Sequence, residues 1–175
     1  MTTDAPALAR PTTTLDALPG AARDRYATAL KLFMAVVLAH WAEHLVQAWQ
    51  VWVLGWPRHH SRGVLGQAFP WLVHSEALHY GYAVVMLAGL FLLRGAFTGR
   101  AGAWWMAAFW LQVWHHFEHL LLIAQATLGT NLAGRPVPTS VVQLFVPRIE
   151  LHLFYNTVVF VPMVVALVLR ARRRN

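Results

Sequence analysis

Apolar residues run along this chain in four long stretches, at about 28–54, 71–93, 103–128 and 148–169. Each is long enough for a helix that crosses a bilayer, which takes roughly 20 residues. The first and third are broken only by one His/Glu motif each and by scattered glutamines. Residues 1–25 are polar, rich in Thr, Pro, Ala and Asp, and hold no apolar core of signal-peptide type. They predict a disordered cytoplasmic tail. The remainder, 26–175, predicts one all-α integral membrane domain, a four-transmembrane-helix bundle.

Composition agrees. Of 175 residues, 58% are hydrophobic and 12% charged, about half the charge of an ordinary soluble domain. There is no cysteine, so neither disulfides nor thiolate ligands enter the argument. The net charge of +7 does not point to nucleic acid, because the arginines stand at the ends of apolar runs rather than on one polar face. They read as topology signals and lipid-headgroup contacts. One side would hold Arg10, Arg23, Arg25, Lys31, Arg94, Arg100, Arg170, Arg172, Arg173 and Arg174; the other Arg58, Arg62, Arg135 and Arg148. The excess places both termini in the cytoplasm. Trp52, Trp56, Trp71, Trp104 and Trp105 lie near span ends, as interfacial aromatics do; Trp41, Trp49, Trp110 and Trp114 lie deeper and read as packing and lipid contacts. Arginine outnumbers lysine thirteen to one and alanine is abundant, a GC-rich bacterial signature that predicts a bacterial inner membrane.

The candidate chemistry lies in the few acids of the apolar part. All three aspartates (Asp4, Asp16, Asp24) precede the first run. All four glutamates sit within three residues of a histidine, in His40-Trp-Ala-Glu43-His44, His74-Ser-Glu76-Ala-Leu-His79, His115-His116-Phe-Glu118-His119 and Glu150-Leu-His152. Ionisable groups in hydrocarbon are costly and usually functional, and carboxylate with imidazole is the ligand set of iron, manganese or zinc.

The motifs also repeat. Spans one and three share His-x-x-Glu-His-Leu. Leu78-His79-Tyr80-Gly81-Tyr82 in span two matches Leu151-His152-Leu153-Phe154-Tyr155 in span four. Gln67-Ala68-Phe69-Pro70 echoes Gln143-Leu144-Phe145-Val146-Pro147. A duplicated helical hairpin is implied, its halves related by a pseudo-two-fold axis along the membrane normal.

Helical spacing puts His40, Glu43 and His44 on one face, with Gln47 extending it, and likewise His115, Glu118 and His119. Glu76 and His79 share a face. Glu150 and His152 stand about 200° apart on a regular helix, so both face inward only if the helix start is distorted. At a rise of about 1.5 Å per residue, all four motifs fall in one slab in the outer half of the membrane. His74 and His116 are evenly balanced between site and packing roles; His59 and His60 belong to an outer loop.

The expected ligands are therefore His40, Glu43, His44, Glu76, His79, His115, Glu118, His119, Glu150 and His152. Ten donors exceed one shell and suit two divalent ions, which four carboxylates would neutralise. Nitrogen and oxygen without sulfur favours iron, then manganese or zinc. His-Trp-Ala-Glu-His and His-His-Phe-Glu-His resemble the histidine boxes of integral-membrane di-iron hydroxylases and desaturases. Glu76-Ala-Leu-His79 is similar to the Glu-x-x-His element of ferritin-like di-iron bundles. These resemblances imply di-iron oxidoreductase or oxygenase chemistry. Within a membrane the expected enzyme acts on a lipophilic small molecule, fed by an electron-donor protein, with Glu43 and Glu118 as the catalytic carboxylates. His-x-x-Glu-His also equals a zinc-protease signature, but its duplication within membrane spans argues against that. A divalent-metal transporter and a bis-histidine haem carrier are the other readings, and a homo-oligomer would suit the transporter.

Overall fold

The computed structural model describes residues 19–174, which are all-helical, with no strand among them. Six α-helices follow in order: α1 (Gly20–Trp52), α2 (Gly63–Ala68), α3 (Pro70–His74), α4 (Glu76–Leu92), α5 (Gly99–Leu128) and α6 (Arg148–Arg174). Three segments are long and apolar enough to cross a membrane: Gly20–Trp52, Glu76–Ala96 and Arg148–Arg173. This suggests a membrane protein. α5 is equally long but does not meet that standard. Gln112, His115, His116, Glu118, His119 and Gln125 interrupt its apolar sequence, and most of these are buried.

The four long helices alternate in direction. The Tyr26 hydroxyl donates to the Leu92 carbonyl (3.3 Å) and accepts from the Ala96 amide, joining the start of α1 to the end of α4. Trp105 Nε1 donates to the Leu90 carbonyl (2.8 Å). Arg173, at the end of α6, donates to the Thr98 carbonyl, just before α5. α5 packs along both α4 and α6, and α6 along α1. One buried cluster takes Leu30, Phe33 and Val37 from α1, Met86 and Leu90 from α4, Trp105 and Ala108 from α5, and Val159, Met163 and Ala166 from α6. In hydrocarbon such helices are held by close fit rather than by exclusion of water. Gly89 supplies that fit: a Cβ there would strike the Phe33 ring. Outward faces stay apolar, with Leu32, Val36, Trp49, Leu92 and Trp110 exposed.

Three expectations change. α1 begins at Gly20, so the helix reaches into the stretch expected to be a tail; residues 1–18 of that tail lie outside the described residues. The run 71–93 is broken at Ser75, whose extended backbone ends α3 and whose hydroxyl accepts from the Leu78 amide to cap α4. Trp105 lies fully buried in the core rather than at an interface.

Candidate metal centre

Six histidines from the four long helices converge near the loop-bearing end. The i, i+4 spacing in α1 and α5 stacks each histidine pair on one face. His44 Nε2 lies 3.0 Å from His40 Nε2, and His119 Nε2 lies 3.0 Å from His115 Nε2. His152 of α6 is the hub: its ring centroid is 5.4 Å from His44, 5.3 Å from His119, 6.0 Å from His115 and 6.1 Å from His79. One ring nitrogen from each of His115, His119 and His152 comes within 4.8 Å of the other two. All three residues are buried.

Backbone carbonyls fix two of the tautomers. His79 Nδ1 donates to the Ser75 carbonyl (2.9 Å) and His152 Nδ1 to the Arg148 carbonyl (2.8 Å). A carbonyl only accepts, so Nδ1 carries the proton and Nε2 offers a lone pair. His152 Nε2 is buried without any partner, as are the Nδ1 atoms of His115 and His119. An unsatisfied buried nitrogen is costly, and a metal ion is a partner that would satisfy His152 Nε2 beside the His115–His119 pair. The paired nitrogens fit the same test: two donors about 2.1 Å from one ion and about 90° apart would stand about 3 Å from each other. The residues present therefore fit a transition-metal ion. Tyr82 stacks on His40 (3.6 Å between centroids) and Tyr155 on His115 (4.6 Å). Trp114 Nε1 donates to the Tyr155 hydroxyl at 2.7 Å.

The carboxylates behave differently from the expected ligand set. Arg148 grips Glu76 through two parallel bonds (2.6 and 2.8 Å). Arg58, on the loop after α1, binds Glu150 through Nε and Nη2 (3.0 and 2.6 Å). Glu43 accepts from the Leu65 amide (3.1 Å). These three turn to other partners because guanidinium and backbone donors reach them, and because a regular start to α6 sends Glu150 away from the face that carries His152 inward. The Glu150 carboxylate in turn pushes the Arg58 guanidinium up from its ordinary value. Glu118 stands apart: it is 2% exposed and neither oxygen meets a hydrogen-bond partner among the described residues. The two ion pairs cross the chain, since each joins one half of the sequence to the other.

Among the balanced histidines, His116 packs against Tyr80 (5.2 Å). His59 and His60 face each other in the exposed loop. His74 lines a half-open cavity of about 270 Å³ together with Arg58, Arg62 and Arg148, and the cavity reaches His44, His79 and His152.

Sequence reasoning missed four residues that hold the site. Gln50 clamps the loop after α1, accepting from the Gly63 amide and donating to its carbonyl. Gln125 does the same to Thr139 in the loop after α5, and also accepts from the Leu132 amide. Each stands ten residues beyond the first histidine of its box, a signal present in the sequence. Arg58 and Arg148 were assigned to topology, although they lie on the side where the positive-inside rule expects few. Comparison of the chain with family models, with curated proteins and with solved structures yields no match.

Proposed function

We propose that the chain is an integral membrane metalloprotein: a four-helix membrane bundle of two similar hairpins, both termini cytoplasmic, whose six-histidine centre holds two transition-metal ions for an oxidoreductase reaction. The observation that carries this reading is the convergence of six imidazoles from four helices, with His152 Nε2 buried and unpartnered among them. A purely structural network would satisfy that nitrogen. Iron is favoured, because neutral imidazoles with at most one free carboxylate suit a redox metal as well as zinc, and tyrosines stack directly on two of the ligand rings. Bound there, such an ion supplies one-electron chemistry. The chain's own residues orient the rings through the Ser75 and Arg148 carbonyls, exclude water around His115 and His119, and admit small molecules through the cavity at His44 and His79.

The test is oxygen uptake by detergent-solubilised protein loaded with iron and given a reductant. Uptake should depend on iron and fall at least about tenfold in His115→Ala. Indifference to iron would contradict the redox reading. Transport of a divalent metal is the second reading, supported by the cavity that brings solvent to His44, His79 and His152. Arg58, Arg62 and Arg148 line that route, and with Glu150 and Glu76 offsetting the first and last, the Arg62 charge remains to disfavour a free cation.

A further inference from the structure

Building on the metalloprotein reading, we infer that the two metal sites are unequal: a closed one at His115, His119 and His152, and an open one at His40, His44 and His79 that exchanges its ion and takes small anionic ligands from the cavity. The halves share a framework. His40 and His44 approach as His115 and His119 do, at 3.0 Å in both. Tyr82 covers His40 as Tyr155 covers His115. His79 donates to a carbonyl four residues back, as His152 does. The glutamine clamps at Gly63 and Thr139 correspond as well.

The equivalence breaks at three places, all in one sense. First, one donor from each of His115, His119 and His152 is already gathered within 4.8 Å, whereas His40 and His44 pair while His79 sets its ring beside His119 (6.2 Å) and His152 (6.1 Å). A preorganised shell binds more tightly than one that must close on its ion. Second, Glu118 is buried and unpartnered one position before His119, whereas its counterpart Glu43 is held by the Leu65 amide. The closed half thus keeps a carboxylate free to offset the charge of a cation, and the open half does not. Third, the cavity meets His44 and His79 and only the edge of the closed set, at His152. Its wall carries Arg58, Arg62 and Arg148, and Arg62 donates to the His59 carbonyl and meets no carboxylate among the described residues. A coordination position open to that wall favours an anion.

The experiment uses the full chain in detergent, stripped of metal and titrated with cobalt(II) by its visible absorption. Two equivalents should bind, with dissociation constants about tenfold or more apart. A chelator should remove them in two phases, and azide should perturb the spectrum of the weaker site alone. His44→Gln should keep the tight ion and lose the azide response; His119→Gln should keep only the weak one. One class of site, a single release phase, or the same loss in both variants would overturn the inference while leaving a metalloprotein. No cobalt bound by the unaltered chain would overturn the metalloprotein reading itself. The two-phase release needs no substitution, so misfolding of a variant does not protect the inference.

Discussion

Gly63 shows how single residues build this site. Its φ of +75° lies in the region that glycine alone enters freely, and a Cβ there would strike the Glu43 carboxylate. The second constraint comes from the carboxylate reaching the loop to accept the Leu65 amide. Gly63→Ala should therefore destabilise the protein by about 1–3 kcal/mol, read as a lower thermal midpoint in detergent by circular dichroism. An unchanged midpoint would mean the loop does not depend on this approach. Glu76 and Arg148 make the complementary case. Glu76 is largely buried, with a side chain 10% exposed, whereas that of Arg148 is 32% exposed. Removing one partner should cost about 1–3 kcal/mol, between exposed and fully buried pairs. Glu76→Met with Arg148→Met should recover much of it, and a double-mutant cycle by chemical denaturation measures the coupling. Additive losses would show that the pair contributes nothing jointly.

At the scale of elements, the two loop clamps predict parallel behaviour. Gln50→Ala and Gln125→Ala each leave a loop amide and carbonyl without their partner, at a cost of about 1–3 kcal/mol. Faster hydrogen exchange should appear at Gly63 in the first and at Thr139 in the second, and exchange unchanged at both would refute the clamps. The long helices were legible because apolar length is a strong signal, and five of the six histidines because i, i+3 and i+4 spacing fixes a face; His152 was legible only through the match of its segment to that of His79. The break at Ser75 was not read from the sequence: it depends on a hydroxyl capping one helix while the backbone turns away from another, at the polar His74-Ser75-Glu76 step of the second run. The fate of Glu76 and Glu150 was equally hidden. Their partners lie 72 and 92 residues away in sequence, and no local pattern announces them. The angular offset between Glu150 and His152 was the one local warning.

For the whole molecule, alternation of four long helices sets the basic residues of the α1 start, the α4–α5 turn and the α6 end together, opposite the histidine-side loops. The proposed topology would turn that end to the cytoplasm. Because the chain lacks cysteine, single cysteines report the arrangement cleanly. In intact cells Asn131→Cys should react with a membrane-impermeant maleimide and Thr98→Cys should not; the reverse pattern would invert the topology. The central claim is that the converged imidazoles hold metal, and its most direct measurement is elemental analysis with an absorption spectrum of detergent-purified protein handled without chelators. About two transition-metal ions per chain, iron foremost, with no Soret band and with loss of metal in His152→Ala, is the predicted result. A chain free of metal, or one whose metal content is unchanged in His152→Ala, would contradict the account.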